Sequence, residues 1–282
     1  MEVEGESFMK VEAINKFYLK DGEICEVKDF IDDNSDKGNI IYEVFRIEGE
    51  TPIFLKDHTE RLKRSFSLLN LEMPFSIEEF RNNIAKVIKA NDYVLGNMKM
   101  TYNVLSKELR IFYIPHKYPS EKDYTDGVKT ILYYGERENP NIKIVNKSFR
   151  ELINEELQKR DAYEAILVDR NGDITEGSRS NIFFIKDKKL ITAPGKAVLL
   201  GVTRAKVMLI AEELNIEVVE RAVKESEIKD MDAMFISGSL AKVLPIAYVD
   251  NMKKDAHNEM LRSIIDRYNH MVDECIEENK II

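Results

Sequence analysis

The chain has 282 residues, 44% of them hydrophobic and 33% charged, a composition typical of a globular protein that buries its own core. Its formal net charge of -9 disfavours nucleic acid as a partner, because binding a phosphate backbone requires clustered Lys and Arg. The sequence contains neither an apolar run near the roughly 20 residues of a membrane helix nor the apolar segment of a secretory signal. We therefore expect a cytoplasmic protein that binds no membrane.

The cysteines and histidines argue against a metal centre. Cys25 and Cys275 lie far apart and in no metal-binding or redox spacing, so we expect free thiols in a reducing compartment. The four histidines are scattered, and none is spaced from a cysteine or carboxylate as metal ligands are.

The first 114 residues predict a mostly antiparallel α+β block. Apolar and polar residues alternate over residues 8–20, and Asp21-Gly22 supplies the turn of a hairpin. Three further strands are predicted, at residues 40–47, 97–104 and 108–114.

Two helices are predicted between these strands. The first has Asp57 as its N-cap with Glu60 three residues later, and the second has Ser76 with Glu79, both in capping-box spacing. Arg61 lies on the first helix, one turn after His58 and on the same face.

Residues 115–127 predict a linker, because they hold two prolines and many polar residues without periodicity. We therefore divide the chain into an amino-terminal domain (residues 1–114) and a carboxy-terminal domain (residues 128–282). The second domain alternates strands with amphipathic helices. The helices are predicted over residues 148–160, 203–214 and much of residues 260–276.

Two turns of the second domain favour an anion-binding site. Gly201-Val202-Thr203 follows an apolar run and opens a helix, whose first N–H groups and partial positive charge attract phosphate. Ser237-Gly238-Ser239 ends an apolar strand with two hydroxyl groups around a glycine. Taken alone, each is also what an ordinary loop looks like.

Two ionisable residues favour covalent chemistry near these turns. Lys143 follows the turn residues Asn139-Pro140-Asn141, and a lysine in a partly dry, electropositive site can lose its proton and form a Schiff base. Glu176 ends a strand–turn unit, where its carboxylate can pair with a cationic ring nitrogen. By default, each would be a surface residue.

In this order, these segments resemble one family. From about residue 40 to residue 250 the chain is similar to the class IV (fold-type IV) pyridoxal-phosphate aminotransferases, which include D-amino acid aminotransferases, branched-chain aminotransferases and aminodeoxychorismate lyases. The segments that support the resemblance are Tyr42-Glu43-Val44, His58 to Leu62, Asn141-Ile142-Lys143, Tyr163 to Leu167, Thr175 to Asn181, Leu200 to Arg204, and Phe235 to Ser239.

The resemblance implies a two-domain α+β fold of the D-amino acid aminotransferase type, with pyridoxal 5'-phosphate as cofactor. Lys143 matches the lysine that holds the cofactor through a Schiff base and moves the proton, with Lys147 as a less well-spaced competitor. Glu176 matches the acid that keeps the pyridine nitrogen protonated. The remaining matches are Tyr42 for the substrate pocket, Leu199 for the ring face, and Arg61, Val202, Thr203, Gly238 and Ser239 for the phosphate.

The resemblance further implies a homodimer that transfers an amino group from an amino acid to a 2-oxo acid. One departure concerns the substrate: enzymes specific for D-amino acids have an Arg-x-His pair near residues 101–104, where this chain has Tyr102 and Asn103. Lys99 is the candidate replacement. We therefore do not assign D-specificity, and two alternatives stay open, an aminodeoxychorismate lyase on the same scaffold and a non-catalytic binding protein.

Overall fold

The computed structural model describes residues 12–31, 40–92, 95–135 and 147–279, with only the main chain for residues 147 and 148. Its amino-terminal half forms a six-stranded sheet in which every neighbouring pair is antiparallel. The strands are β1 (Ile14–Lys20), β2 (Glu23–Glu26), β3 (Ile40–Glu48), β4 (Thr51–Pro52), β5 (Gly96–Asn103) and β6 (Leu109–Ile114), in the spatial order β2-β1-β6-β5-β3-β4.

Two helices, α1 (Leu55–Leu68) and α2 (Ile77–Asn91), pack on one face of this sheet. The capping box of Ser76 and Glu79 is confirmed at the start of α2. The N-cap assigned to Asp57 is wrong, because the N-cap is Phe54, three residues earlier, and α1 begins at Leu55. Phe54 adopts φ 53° and is buried against the Tyr268 ring, so a tertiary contact sets the start of the helix.

The carboxy-terminal half forms a second sheet of ten strands that mixes parallel and antiparallel pairs. In chain order they are β7 (Val128–Tyr134), β8 (Glu164–Val168), β9 (Asp173–Gly177), β10 (Asn181–Lys186), β11 (Lys189–Thr192), β12 (Val218–Glu220), β13 (Val223–Lys224), β14 (Ala233–Gly238), β15 (Lys242–Val249) and β16 (Met252–Lys253). The spatial order is β12-β11-β10-β14-β15-β7-β8-β9-β13, with β16 paired to β15.

In the described part of the chain, four helices accompany the second sheet: α3 (Glu121–Asp126), α4 (Lys147–Lys159), α5 (Val202–Glu213) and α6 (Glu259–Glu278). Short 3-10 turns span Val27–Asp29, Gly195–Ala197 and Glu225–Asp230. Helix α3 lies inside the segment predicted to be a linker and is capped by Ser120 and Asp123. The α+β fold is confirmed, while the domain limits stay a prediction.

The two halves share a core at the amino end of α1. Ile53 and Phe54 belong to the same buried apolar cluster as residues of α5, β14 and α6. The Phe54 amide donates to Cys275 Sγ at 3.4 Å, and Lys206 Nζ lies 2.8 Å from Asp57 Oδ2. These contacts bring the start of α1 beside the start of α5.

Both cysteines are free thiols, and burial raises the pKa of Cys275. Within residues 12–31, 40–92, 95–135 and 147–279, no His, Cys, Asp or Glu side chains are grouped as metal ligands. None of the helices in these ranges is both long and apolar enough to span a membrane.

Candidate active site

The start of α5 is built as an anion cradle. Gly201 is its N-cap, with φ −65° and ψ 142°, and no side chain of the described residues caps the helix. Val202 and Thr203 form the first turn and are buried, at 4% and 2% exposure. Because the first N–H groups of a helix have no partner within it, this turn offers donors to a bound anion.

Gly201 is required here by space rather than by backbone angle. A Cβ at this position would lie 2.2 Å from Asn181 Oδ1, far inside van der Waals contact. Asn181 is buried, and its Nδ2 donates to the Leu199 carbonyl at 2.8 Å, so it cannot move aside freely.

We therefore expect Gly201→Ala to lower cofactor affinity about tenfold, because overpacking of about 1–3 kcal/mol displaces the cradle. Titration of the apoprotein with cofactor, followed by absorbance, measures the effect. The double variant Gly201→Ala/Asn181→Ala removes the clash and should recover part of the affinity. If Gly201→Ala binds cofactor as the parent does, the cradle is not where the anion binds.

Glu176 and Leu199 contact each other through a hydrogen bond. Glu176 ends β9 and is only 3% exposed, and its Oε2 accepts a hydrogen bond from the Leu199 amide at 3.2 Å. The Leu199 carbonyl also accepts from the Gly201 amide at 2.8 Å. The loop that presents Leu199 is thus fixed between a buried acid and the helix start.

A second buried acid, Glu164, holds the turn that follows Glu176. Its carboxylate accepts from the Ser180 hydroxyl at 2.9 Å, the Arg179 amide at 3.2 Å and the Ala165 amide at 2.9 Å, and also from the Ser178 hydroxyl. A carboxylate with this many donors is a structural anchor, so Glu164 fixes the turn and Glu176 faces the loop of Leu199.

A pocket opens between the two sheets at the start of α5. Thr203 and Ser239, both predicted phosphate ligands, line it together with His58 of α1. Burial raises the pKa of Tyr268, which also lines it, so this hydroxyl stays protonated. The complete lining is Arg46, Ile53, Phe54, His58, Thr203, Ser239, Lys242, Tyr268 and Val272.

Arg61, one helical turn after the pocket residue His58, forms a buried ion pair. Its Nε donates to Glu43 Oε2 at 3.0 Å, and its Nη2 donates to Glu43 Oε1. His58 Nδ1 lies 2.9 Å from the same carboxylate. The fully buried Glu43 carboxylate thus fixes both of these α1 side chains, Arg61 and His58, against β3. Arg61 is therefore held by Glu43 and is not among the residues that line the pocket.

The Ser237-Gly238-Ser239 turn fits an anion as well. Ser237 Oγ is buried and makes no hydrogen bond with any described group. A buried hydroxyl without a partner is unfavourable unless a ligand or water satisfies it. A Cβ at Gly238 would lie 3.5 Å from its nearest atom, so a larger residue could fit there without a steric clash.

Tyr42 lies on the opposite face of β3 from Glu43, and Arg150 Nη2 of α4 donates to its hydroxyl at 3.3 Å. Lys99 Nζ lies 5.3 Å from the Tyr42 ring centre and binds Glu12 Oε1 at 2.6 Å. Tyr102 and Asn103 are structural: Tyr102 belongs to the core under α1 and α2, and Asn103 Oδ1 accepts from the Leu105 amide at 2.9 Å.

Sequence reasoning missed four charged residues of this region: Glu43, Arg46, Arg150 and Lys242. Glu43 carried a signal, since a charge on the inward face of an apolar strand predicts a buried partner. Arg46 lies four residues after Tyr42 on β3, so the two-residue period of a strand predicts that both side chains are on the same face. Arg150 and Lys242 come from elements distant in sequence, and only tertiary packing brings them to the site. Burial lowers the pKa of Lys242.

Lys143 lies outside the described residues, and so does the side chain of its competitor Lys147. The main chain of Lys147 begins α4, whose residue Arg150 reaches Tyr42. The assignment of the reactive lysine therefore stays a prediction.

The chain has clear relatives among known proteins. A sequence model of the family described as amino-transferase class IV matches residues 40–249. Over 227 residues the chain is 29% identical to the D-alanine aminotransferase of Bacillus licheniformis, covering 76% of this chain and 80% of that protein. It is 32% identical over 215 residues to a probable branched-chain-amino-acid aminotransferase of Thermotoga maritima, covering 73% of this chain and 76% of the relative.

The fold agrees with these relatives. The branched-chain amino acid aminotransferase from Thermobaculum terrenum, solved in its PLP-form, superposes on this chain with a TM-score of 0.78 at 23% identity. The match covers 96% of this chain and 97% of that chain, so the likeness extends over both sheets.

Proposed function

The chain belongs to the class IV aminotransferases, and from that premise we propose which of its residues hold pyridoxal phosphate and transfer the amino group. It is a pyridoxal-phosphate-dependent enzyme that moves an amino group between an amino acid and a 2-oxo acid. The observation that supports the residue assignment best is the joint position of Glu176, Leu199 and the α5 start.

The cradle at α5 would hold the phosphate of the cofactor. Val202 and Thr203 present N–H groups, Thr203 and Ser239 add hydroxyls, and Ser237 Oγ has no other described partner. Backbone N–H groups and hydroxyls at the start of a helix are the donors that bind phosphate. Arg61 adds positive charge from behind, while Glu43 keeps its guanidinium in place.

Glu176 and Leu199 would hold the ring of the cofactor beside the cradle. The Glu176 carboxylate is buried and fixed by the Leu199 amide, so it can keep a proton on the ring nitrogen. Leu199 would then pack against one face of the ring. When bound, pyridoxal phosphate supplies the electron sink that the reaction needs, and a protonated ring nitrogen strengthens it.

The remaining steps are assigned to Lys143 and Tyr42. Lys143 would hold the cofactor through its Nζ, and the freed amine would move a proton at the substrate α-carbon. Tyr42 is buried on β3 and forms a wall of the substrate side of the cleft.

We place the enzyme in the cytoplasm, in keeping with two free thiols, and propose a homodimer from the resemblance to its family.

The test is a panel of D- and L-amino acids, each assayed with the purified protein, pyridoxal phosphate and either 2-oxoglutarate or pyruvate as acceptor. We expect acceptor-dependent formation of a new amino acid, with parallel double-reciprocal plots that indicate two half-reactions. Pyruvate release from aminodeoxychorismate instead would indicate a lyase. Bound cofactor without turnover on any donor would contradict catalysis, and gel filtration with light scattering tests the dimer.

A further inference from the structure

Every substrate of the proposed reaction carries a carboxylate on the reacting carbon, and this inference rests on that proposed function. A carboxylate that enters a cleft loses water, so it needs a cation or several donors aimed at it. The useful cation is one that no protein carboxylate already neutralises.

The basic residues around the cleft are largely committed to acids. Arg61 binds Glu43, and Lys99 Nζ lies 2.6 Å from Glu12 Oε1. Two others share one acid: Glu48 Oε2 lies 2.7 Å from Arg46 Nε and 3.4 Å from Lys242 Nζ. These pairs leave little free positive charge for a substrate.

Arg150 is different. Its side chain is exposed, and its guanidinium donates to a neutral group, the Tyr42 hydroxyl, at 3.3 Å. Within the described parts of the chain it forms no ion pair with an acid. Its pKa is raised, first by the attraction of the Tyr42 oxygen and its hydrogen bond, with smaller effects of Glu12 and Glu164. It is a permanent cation with donors to spare.

The position of Arg150 is that of the substrate cleft. On one side it contacts Tyr42, the wall provided by β3. On the other side it is within electrostatic range of Glu164, whose carboxylate anchors the turn just after Glu176. The guanidinium therefore lies beside the wall residue Tyr42 and in the field of the carboxylate that anchors the turn after Glu176.

We infer that Arg150 and the Tyr42 hydroxyl bind the α-carboxylate of the substrate, with Arg150 supplying the charge and Tyr42 orienting it. A guanidinium can form two parallel hydrogen bonds with a carboxylate, and the hydroxyl can donate a third. Arg150 thus replaces the arginine that β5 lacks, and it sets the specificity for amino acids over amines.

The test compares Arg150→Gln with the parent holoenzyme, using Lys159→Gln as a matched control. Lys159 lies on the same helix, and its side chain is 78% exposed. We expect Arg150→Gln to raise KM about 10- to 100-fold for alanine and glutamate alike, as loss of a charge-assisted hydrogen bond predicts. Arg150→Lys should recover part of this loss, and Lys159→Gln should change nothing.

A second readout needs no turnover. Butyrate and its neutral isostere butyramide are titrated into the holoenzyme, and cofactor absorbance reports binding. The parent should bind the acid about 10- to 100-fold more tightly than the amide, and Arg150→Gln should lose this preference. An inactive parent that still prefers butyrate would reject the proposed function but keep this inference.

Three results would overturn the assignment. The first is unchanged KM values and an unchanged preference for butyrate in Arg150→Gln. The second is a loss confined to glutamate, which would place a side-chain carboxylate at Arg150. The third is transfer of the whole effect to Arg179→Gln, since Arg179 is an exposed arginine in the turn after Glu176.

Discussion

Replacement of Lys143 by alanine should abolish covalent attachment of the cofactor and lower transamination by at least roughly 10²- to 10⁴-fold, the share that a positioned proton carrier contributes. The reason is that one amine performs two tasks, covalent binding and proton transfer. Borohydride reduction of the parent should fix the cofactor irreversibly to the protein, and mass spectrometry of the digested chain should find the added mass on the peptide with Lys143.

Lys147→Ala is the matched control, because it removes a neighbouring lysine of the same segment. It should keep both the reducible bond and most of the activity. If the added mass appears on Lys147, and Lys147→Ala is the inactive variant, the assignment of Lys143 is wrong while the enzyme class stands.

Glu43→Ala should reduce the free energy of unfolding by about 3–5 kcal/mol, because it leaves a buried arginine without its counter-charge. Glu43 is fully buried and holds both Arg61 and His58 of α1. Since Arg61 is the proposed rear charge of the phosphate site, cofactor affinity should fall as well. Urea denaturation of the apoprotein measures the first effect, and absorbance titration measures the second.

Glu60→Ala is the control for this prediction. Glu60 lies on the same helix, 3.1 Å from Lys63, but its side chain is 47% exposed. An exposed pair of this kind contributes about 0–1 kcal/mol. Equal stability of the two variants would show that the buried ion pair does not hold α1. Replacing Glu43 and Arg61 together by Leu and Met should restore part of the stability.

Local rules predicted most of the fold. The Asp21-Gly22 hairpin is confirmed, with φ of 49° and 90° at the turn, and so is the capping box of Ser76. The local rule failed at Asp57, because Phe54 packs against Tyr268 and starts the helix earlier. Such a contact joins residues more than 200 positions apart, and no nearby sequence reports it.

The same division applies to the site. Glu176, Leu199 and the α5 start lie within one continuous stretch, and the family resemblance assigned all three to the cofactor. Arg150 reaches Tyr42 across 108 residues, and only the packing of α4 near β3 brings them together. Residues whose partners come from a distant element are therefore those that sequence patterns leave out.

The pocket beside α5 also constrains how the protein is made. Its lining begins at Arg46 and ends at Val272, so its first wall leaves the ribosome long before its last. At 5–20 residues per second, translation needs roughly 10–45 s to cover that distance. Throughout this interval Phe54 lacks its packing partners Tyr268 and Val272. A nascent chain that stalls there would expose this apolar side chain to chaperones before the site for pyridoxal phosphate is complete.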